Sequence, residues 1–249
     1  MSQYTQVTLI TGANRGLGRA LVEHYLQQPN TFVAAGVRDP AHQTAQALSQ
    51  LQPAEGSKLA VLQLESKSDA DHAAAVETLQ RDHGIDRLDI VVSNAGICRL
   101  ARLDEVELSE LRDHVEVNAI AVVRLFQTTL PLLRKAARPR LLVMGSMAGS
   151  VGSMLTFPFP QGAYASSKAA TNAIVRKIQM ENDWLIALSI HPGWAQTDMG
   201  NDGARAVGME KAAVPVEDSI NGIISILDKA DNKTVLGLFL DYAGTESPW

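Results

Sequence analysis

A tyrosine and a lysine stand four residues apart in the stretch GAYASSKAA, residues 162–170. On a helix, positions i and i+4 share one face about 5.4 Å apart along the axis, so Tyr164 and Lys168 point into the same space. A surface pair on an amphipathic helix is the plain reading. The alternative is acid–base chemistry. A free phenol titrates near 10, leaving little anion at neutral pH. A cation at about 4 Å, in an effective dielectric near 20, contributes about 4 kcal/mol, enough to bring the phenol toward about 7. A phenol near that value exchanges protons efficiently. The small residues Ala165, Ser166, Ala169 and Ala170 leave room for a cofactor or a neighbouring backbone.

A second group lies near the N-terminus. The apolar run Val7–Ile10 leads into TGANRGLG, Thr11 to Gly18, and then into a helical pattern. Glycines at 12, 16 and 18 allow a tight turn and let the backbone approach a pyrophosphate at a helix N-terminus. The Gly-Lys-Ser/Thr of a Walker turn is absent, which favours a dinucleotide over a nucleoside triphosphate. The second apolar run ends AAGVRDP. Val37 stands where NAD-selective turns carry an acidic residue, Arg38 follows it, and Arg15 sits within the glycine turn. Two guanidiniums suit a 2′-phosphate, which gives NADP(H). The competing reading makes Asp39 a ribose ligand and the cofactor NAD(H). Asp39-Pro40 also fits a helix N-cap followed by a first-turn proline.

The elements that must hold these groups follow an α/β rhythm. Strands are predicted at 7–10, 32–37, 59–64, 88–92, 140–144, 185–190 and 236–240. Helices are predicted near 16–28, 41–50, 68–83, 107–136, 163–181 and 216–228. Nearly continuous apolar strands alternating with amphipathic helices imply a Rossmann-type doubly wound parallel sheet of about seven strands, flanked by helices on both faces. With 249 residues, no repeat and no long polar linker, residues 1–249 are read as a single dinucleotide-binding catalytic domain. Loops near 149–162 and 194–215 lie on its substrate side. A net charge of −5 argues against a general affinity for nucleic acid or an anionic membrane. One cysteine, Cys98, excludes an intrachain disulfide. With no basic or histidine neighbour evident in the sequence, it reads as a half-buried hydrophobe. No signal-like N-terminus or span of about 20 apolar residues is present, and a cytoplasmic location is expected. None of the six histidines has metal-ligand spacing, so no metal is expected.

Five elements stand in order along the chain: TGxxxGxG at 11–18, SNAG at 93–96, Asn118, Ser146 and Tyr164-x-x-x-Lys168. Together they resemble the short-chain dehydrogenase/reductase family over essentially the whole chain. The resemblance implies that Tyr164 is the acid for a carbonyl oxygen and that Ser146 holds that oxygen. It implies that Lys168 binds the nicotinamide ribose and tunes the phenol, and that Asn118 helps anchor a water linking Lys168 to solvent. Gly12, Asn14, Arg15, Gly16, Leu17, Gly18 and Arg38 would form the cofactor's phosphate side. Asn94, Ala95 and Gly96 would line its adenosine side, and Glu65 stands where the family commonly has an aspartate near the adenine. Pro192, Gly193 and Trp194 would meet the nicotinamide end, and Thr197 would hold its carboxamide or the pyrophosphate. Ser93 replaces the family's more usual asparagine.

ENDWL at 181–185, with Trp194 and TDMG, looks most like the branch of sniffer-type carbonyl reductases and fungal norsolorinic acid ketoreductases. The reading is NADPH-dependent reduction of an aromatic or polyketide-like ketone or aldehyde, of the kind used in secondary metabolism. The alternatives are a catalytically silent NADP(H)-binding regulatory protein and NAD-dependent alcohol oxidation. A homodimer or homotetramer is expected. An enlarged loop between Ser146 and Tyr164 carries Met154, Leu155, Phe157 and Phe159, which form either a pocket wall or packing onto the protein or a partner.

Overall fold

The computed structural model describes residues 3–156 and 159–249; the predicted loop residue Phe157 lies outside them. Eight strands form one sheet in the order β3-β2-β1-β4-β5-β6-β7-β8. The described residues group into two compact units, one of residues up to 95 with 123–142, the other of 96–122 with 143–249. Strand β5, Arg140–Met144, contributes to both.

In the first unit, β1 (Gln6–Thr11) pairs in parallel with β2 (Thr31–Val37) and β4 (Ile90–Ser93), and β2 pairs in parallel with β3 (Lys58–Gln63). Strand β2, TFVAAGV, is buried along its whole length, as its unbroken apolar run requires of a strand covered on both faces. Helices α1 (Gly16–Leu26), α2 (Gln43–Gln46) and α3 (Asp69–His83) follow the first three strands in turn. Helix α3 begins with Ser68, whose hydroxyl accepts from the Asp71 amide, and ends at Gly84 in the left-handed conformation. The Asp39-Pro40 cap needs correction. His42 caps α2, its Nδ1 accepting from the Thr44 amide, while Asp39 accepts from the Ala41 amide in the turn before it.

The second unit contains α4 (Leu108–Val115), whose course continues through a π-helical turn, Glu116–Ile120, into α5 (Ala121–Leu133), of which residues 123–133 belong to the first unit. The single helix expected over 107–136 is thus interrupted at Asn118. Helix α6 (Gly162–Glu181) buries Ala165, Lys168, Asn172, Val175 and Gln179 at helical spacing, an unusually polar buried face. Strand β6 (Ile186–His191) pairs in parallel with β7 (Phe239–Asp241), and β7 pairs antiparallel with β8 (Glu246–Ser247). Helix α7 (Asp198–Ala206) lies within what was read as loop; α8 (Val216–Lys229) matches expectation; and α9 (Asn232–Val235) and β8 add to it.

Candidate active site

In the first unit the glycine turn forms a cradle between β1 and α1. Gly12 and Gly16 have φ of +61° and +54°, where a side chain would be strained. A Cβ on Gly18 would stand 2.3 Å from the Gly12 carbonyl oxygen and 2.5 Å from Asn94 Nδ2. Glycine is therefore required for contact as well as for conformation. Asn94 braces this turn: its Nδ2 donates to the carbonyls of Thr11 (2.9 Å) and Gly12 (3.2 Å). Thr11 Oγ1 accepts in return from the amides of Asn94 (3.0 Å) and Ala95 (3.1 Å). Thr11 was absent from the expected site residues, although its place at the end of β1 signals a bracing role.

Helix α1 starts after Arg15, whose side chain makes no capping bond, and its first turn contains no acidic residue. Its N-terminal amides therefore have no side-chain acceptor in the cap, the arrangement that receives phosphate oxygens. Asn14 Nδ2 donates to Thr44 Oγ1 at 2.6 Å, tying the turn to α2. Arg38 is 81% exposed and lies 3.9 Å from the Glu65 carboxylate. Arg15 is also exposed. The two guanidiniums are thus available to solvent, and Glu65 faces Arg38. Leu17, Ala95 and Gly96 keep their places beside the turn and after β4.

In the second unit, Ser146 follows β5 in an extended conformation, buried, with its hydroxyl accepting from the Ala148 amide at 3.2 Å. That hydroxyl is also a hydrogen-bond partner of the Tyr164 phenol. Gly149 lets the turn after Ser146 press against α6, since a Cβ there would meet the Lys168 carbonyl carbon at 2.4 Å. Lys168 is buried; its Nζ donates to the Met144 carbonyl at 2.7 Å and lies 5.9 Å from the Tyr164 ring centroid. The helix does place both groups in one neighbourhood.

The electrostatics differ from the expectation. Burial raises the Tyr164 phenol above its ordinary value, with Cys98 adding to the rise and the Ser146 bond opposing it. Burial lowers Lys168 from 10.5 to about 8. The expected shift of the phenol toward neutral is therefore corrected: withdrawal from water outweighs the opposing Ser146 hydrogen bond. Cys98 is half-buried, as expected. It feels the Lys168 charge, so a basic neighbour exists, yet burial lifts its thiol to about 11. It is not a reactive thiolate.

Asn118, 2% exposed, is held on every side. Its Oδ1 accepts from the Ile97 amide, its Nδ2 donates to the Ile97 carbonyl and to Ser167 Oγ, each at 2.9 Å, and its main-chain carbonyl accepts from Thr171 Oγ1 at 2.7 Å. One turn earlier, His114 Nε2 accepts from the Arg99 amide at 3.1 Å. Asn118 and His114 together pin the segment that carries Cys98. π turns disturb the regular backbone ladder and recur at functional sites.

At the end of β6, His191 is drawn down to about 4 by burial and is neutral near pH 7. The Pro192 carbonyl accepts from Ser219 Oγ at 2.6 Å. Gly193 has φ +73°, with Tyr242 and Val214 where a Cβ would sit. The Trp194 indole donates to the Gly200 carbonyl at 2.9 Å, and Phe159 stacks edge-on against it at 5.5 Å. Thr197 caps α7 by accepting from the Gly200 amide at 3.1 Å. These residues are thus committed to shaping the loop. Among the described residues, no group of three or more His, Cys, Asp or Glu could hold a metal, and no helix is long and apolar enough to cross a membrane.

Residues 6–207 match the short chain dehydrogenase family. The chain belongs to that family. This dehydrogenase is 41% identical over 246 residues to the norsolorinic acid ketoreductase stcE of Emericella nidulans, covering 98% of this chain and 93% of that protein. It is 40% identical over 247 residues to the norsolorinic acid ketoreductase of Aspergillus parasiticus, covering 98% and 91%. Among solved structures it resembles the NADPH-bound carbonyl reductase from chicken fatty liver, with a TM-score of 0.86, 29% identity, and coverage of 99% of this chain and 100% of that one. The carbonyl reductase Sniffer of D. melanogaster gives 0.84 and 27%, with coverage of 99% and 100%. The branch read from the sequence is the one these relatives represent, and the dehydrogenase is an oxidoreductase acting at the carbonyl level.

Proposed function

We propose that this dehydrogenase reduces an aromatic or polyketide-like ketone with NADPH. The observation that carries the reading is the set of buried Ser146 and Lys168 with half-buried Tyr164, whose phenol is hydrogen-bonded to the Ser146 hydroxyl and keeps its proton. A ketone accepting hydride becomes an alkoxide, a base strong enough to take a proton even from a weakly acidic phenol. A phenol that keeps its proton at all physiological pH values is a standing donor for reduction; oxidation would need its anion. Tyr164 gives its proton to the nascent alkoxide, and the Ser146 hydroxyl donates a hydrogen bond to the same oxygen. Lys168, protonated below about 8, supplies a cation next to the phenol. NADPH, when bound, supplies the hydride.

Residues of the first unit suit the phosphate side of that cofactor. Gly12, Gly16, Gly18 and the uncapped start of α1 suit its phosphates, and the exposed guanidiniums of Arg15 and Arg38 suit a 2′-phosphate. The solved relatives with NADPH or NADP support the same choice. The norsolorinic acid ketoreductase relatives point to a large aromatic ketone.

The test is consumption of NADPH by the pure protein over a panel of aromatic and aliphatic ketones, with Tyr164→Phe as control. Turnover of an aromatic ketone is expected, falling about 10²- to 10⁴-fold in the variant while NADPH affinity holds. No turnover of any carbonyl, or full activity in the variant, overturns the reading. Tighter binding of NADH than of NADPH overturns the arginine assignment.

A further inference from the structure

The turn Val151–Thr156, which follows the catalytic serine closely, has no buried residue of its own. Val151 is 70% exposed and Leu155 fully so. A segment without buried side chains gains little from packing and should fray freely. It is nevertheless tied down at two points. Ser150, wholly buried, accepts from the Ser153 amide at 3.2 Å. The Gly152 amide donates to the Trp249 carbonyl at 3.1 Å, and Pro248 lies 3.5 Å from where a Gly152 Cβ would stand.

Trp249 is itself firmly seated. Pairing of β8 with β7 delivers it to the turn. Its indole N–H donates to the Gly237 carbonyl at 2.7 Å. Its ring lies 5.5 Å from that of the fully buried Phe239, and the Arg176 guanidinium stands over it at 5.0 Å. Three side-chain contacts thus fix the carbonyl that holds Gly152.

We propose that Trp249 is a positioning residue of the substrate side: it latches Val151–Thr156 in place and so presents Val151, Met154 and Leu155 as an apolar wall for the larger ketones. The wall rests on the ketoreductase reading; the latch stands without it. An aromatic stack, a cation over a ring and an indole hydrogen bond each contribute modestly, and together they hold the turn against fraying. The wall matters most to a substrate large enough to reach it. Trp249 touches neither Ser146, Tyr164 nor Lys168 among the contacts described, so its effect falls on substrate affinity and not on proton transfer.

The experiment compares wild type, Trp249→Ala, Trp249→Phe and Arg176→Gln by hydrogen exchange and by kinetics. Exchange at residues 151–156 should accelerate about tenfold or more in Trp249→Ala. KM for a bulky aromatic ketone should rise about tenfold with kcat and the NADPH KM held within about twofold. Trp249→Phe keeps the ring and should be intermediate, and Arg176→Gln should be milder still. If Trp249→Ala fails to fold, that ranking in the two milder variants carries the test. Unchanged exchange at 151–156 overturns the latch, whatever the activity. Faster exchange with an unchanged KM overturns the wall while leaving the latch. An inactive wild type counts against the ketoreductase reading alone, and the exchange result still decides the latch.

Discussion

Replacing Lys168 with methionine should make the ligand-free protein more stable while destroying its activity. Lys168 is 6% exposed and its ammonium donates to the Met144 carbonyl at 2.7 Å. Burial lowers it from 10.5 to about 8, which corresponds to about 3 kcal/mol of disfavour for the charged form in the fold. Methionine has a similar reach and no charge, so this cost disappears, while the Met144 carbonyl loses a donor at about 1 kcal/mol. The balance is a gain of about 2 kcal/mol at pH 7, a rise in Tm of roughly 4–8 °C for a chain of this size.

The pH dependence fixes the sign. Between about 8 and 10.5 the unfolded lysine keeps a proton that the folded one has lost, so wild-type stability rises with pH across that window. The advantage of Lys168→Met should therefore be full below about 8 and should fade toward 10.5. Thermal or urea unfolding of both ligand-free proteins at pH 7 and pH 10 measures it. A variant less stable than wild type at pH 7, or a difference that does not change with pH, refutes the reasoning.

Other perturbations test other parts of the site and fold. Gly18→Ala forces a methyl to within 2.3 Å of the braced Gly12 carbonyl and should cost about 1–3 kcal/mol together with most of the NADPH affinity. Unfolding curves and cofactor titration check it, and unchanged values in both would dismiss the cradle. His72, on α3, is 2% exposed, and neither ring nitrogen has a hydrogen-bond partner among the described residues. Burial first, then the Arg124 charge, lowers it to about 4. The unfolded histidine takes up its proton at higher pH, so stability should fall as pH drops from 6.5 toward 4. His72→Leu should flatten that limb of the pH–stability curve, and an unaltered limb would place the acid sensitivity elsewhere.

The parallel strands were legible because a sequence such as TFVAAGV has one stable use, a strand covered on both faces. Strand β5 was read to the residue. What escaped was decided by hydrogen bonds rather than by apolar patterning. Helix α7 follows from Thr197 capping Gly200 inside a Gly- and Asp-rich stretch whose composition reads as loop. Strand β8 is two residues long and exists through its pairing with β7. At the second strand's end, Asp39-Pro40 carried a convincing cap signal, yet the chain turns once more before His42 takes the task.

The proximity of Tyr164 and Lys168 was legible from their spacing, since four residues of helix place them on one face. Their proton affinities were not. A pair attraction can be written down from two residue types and a distance, but the cost of leaving water depends on every neighbour that excludes it. Ser146, the Gly149 turn and the Cys98 segment pinned by Asn118 and His114 enclose the pair from positions far apart in the chain. Their joint effect reverses the sign expected for the phenol. That reversal has a chemical use. The same exclusion of water that keeps the proton on Tyr164 lowers Lys168 only to about 8, so a protonated phenol and a largely charged lysine stand together near pH 7. In the proposed reduction, such a pair offers the nascent alkoxide a proton from the phenol with a cation beside it.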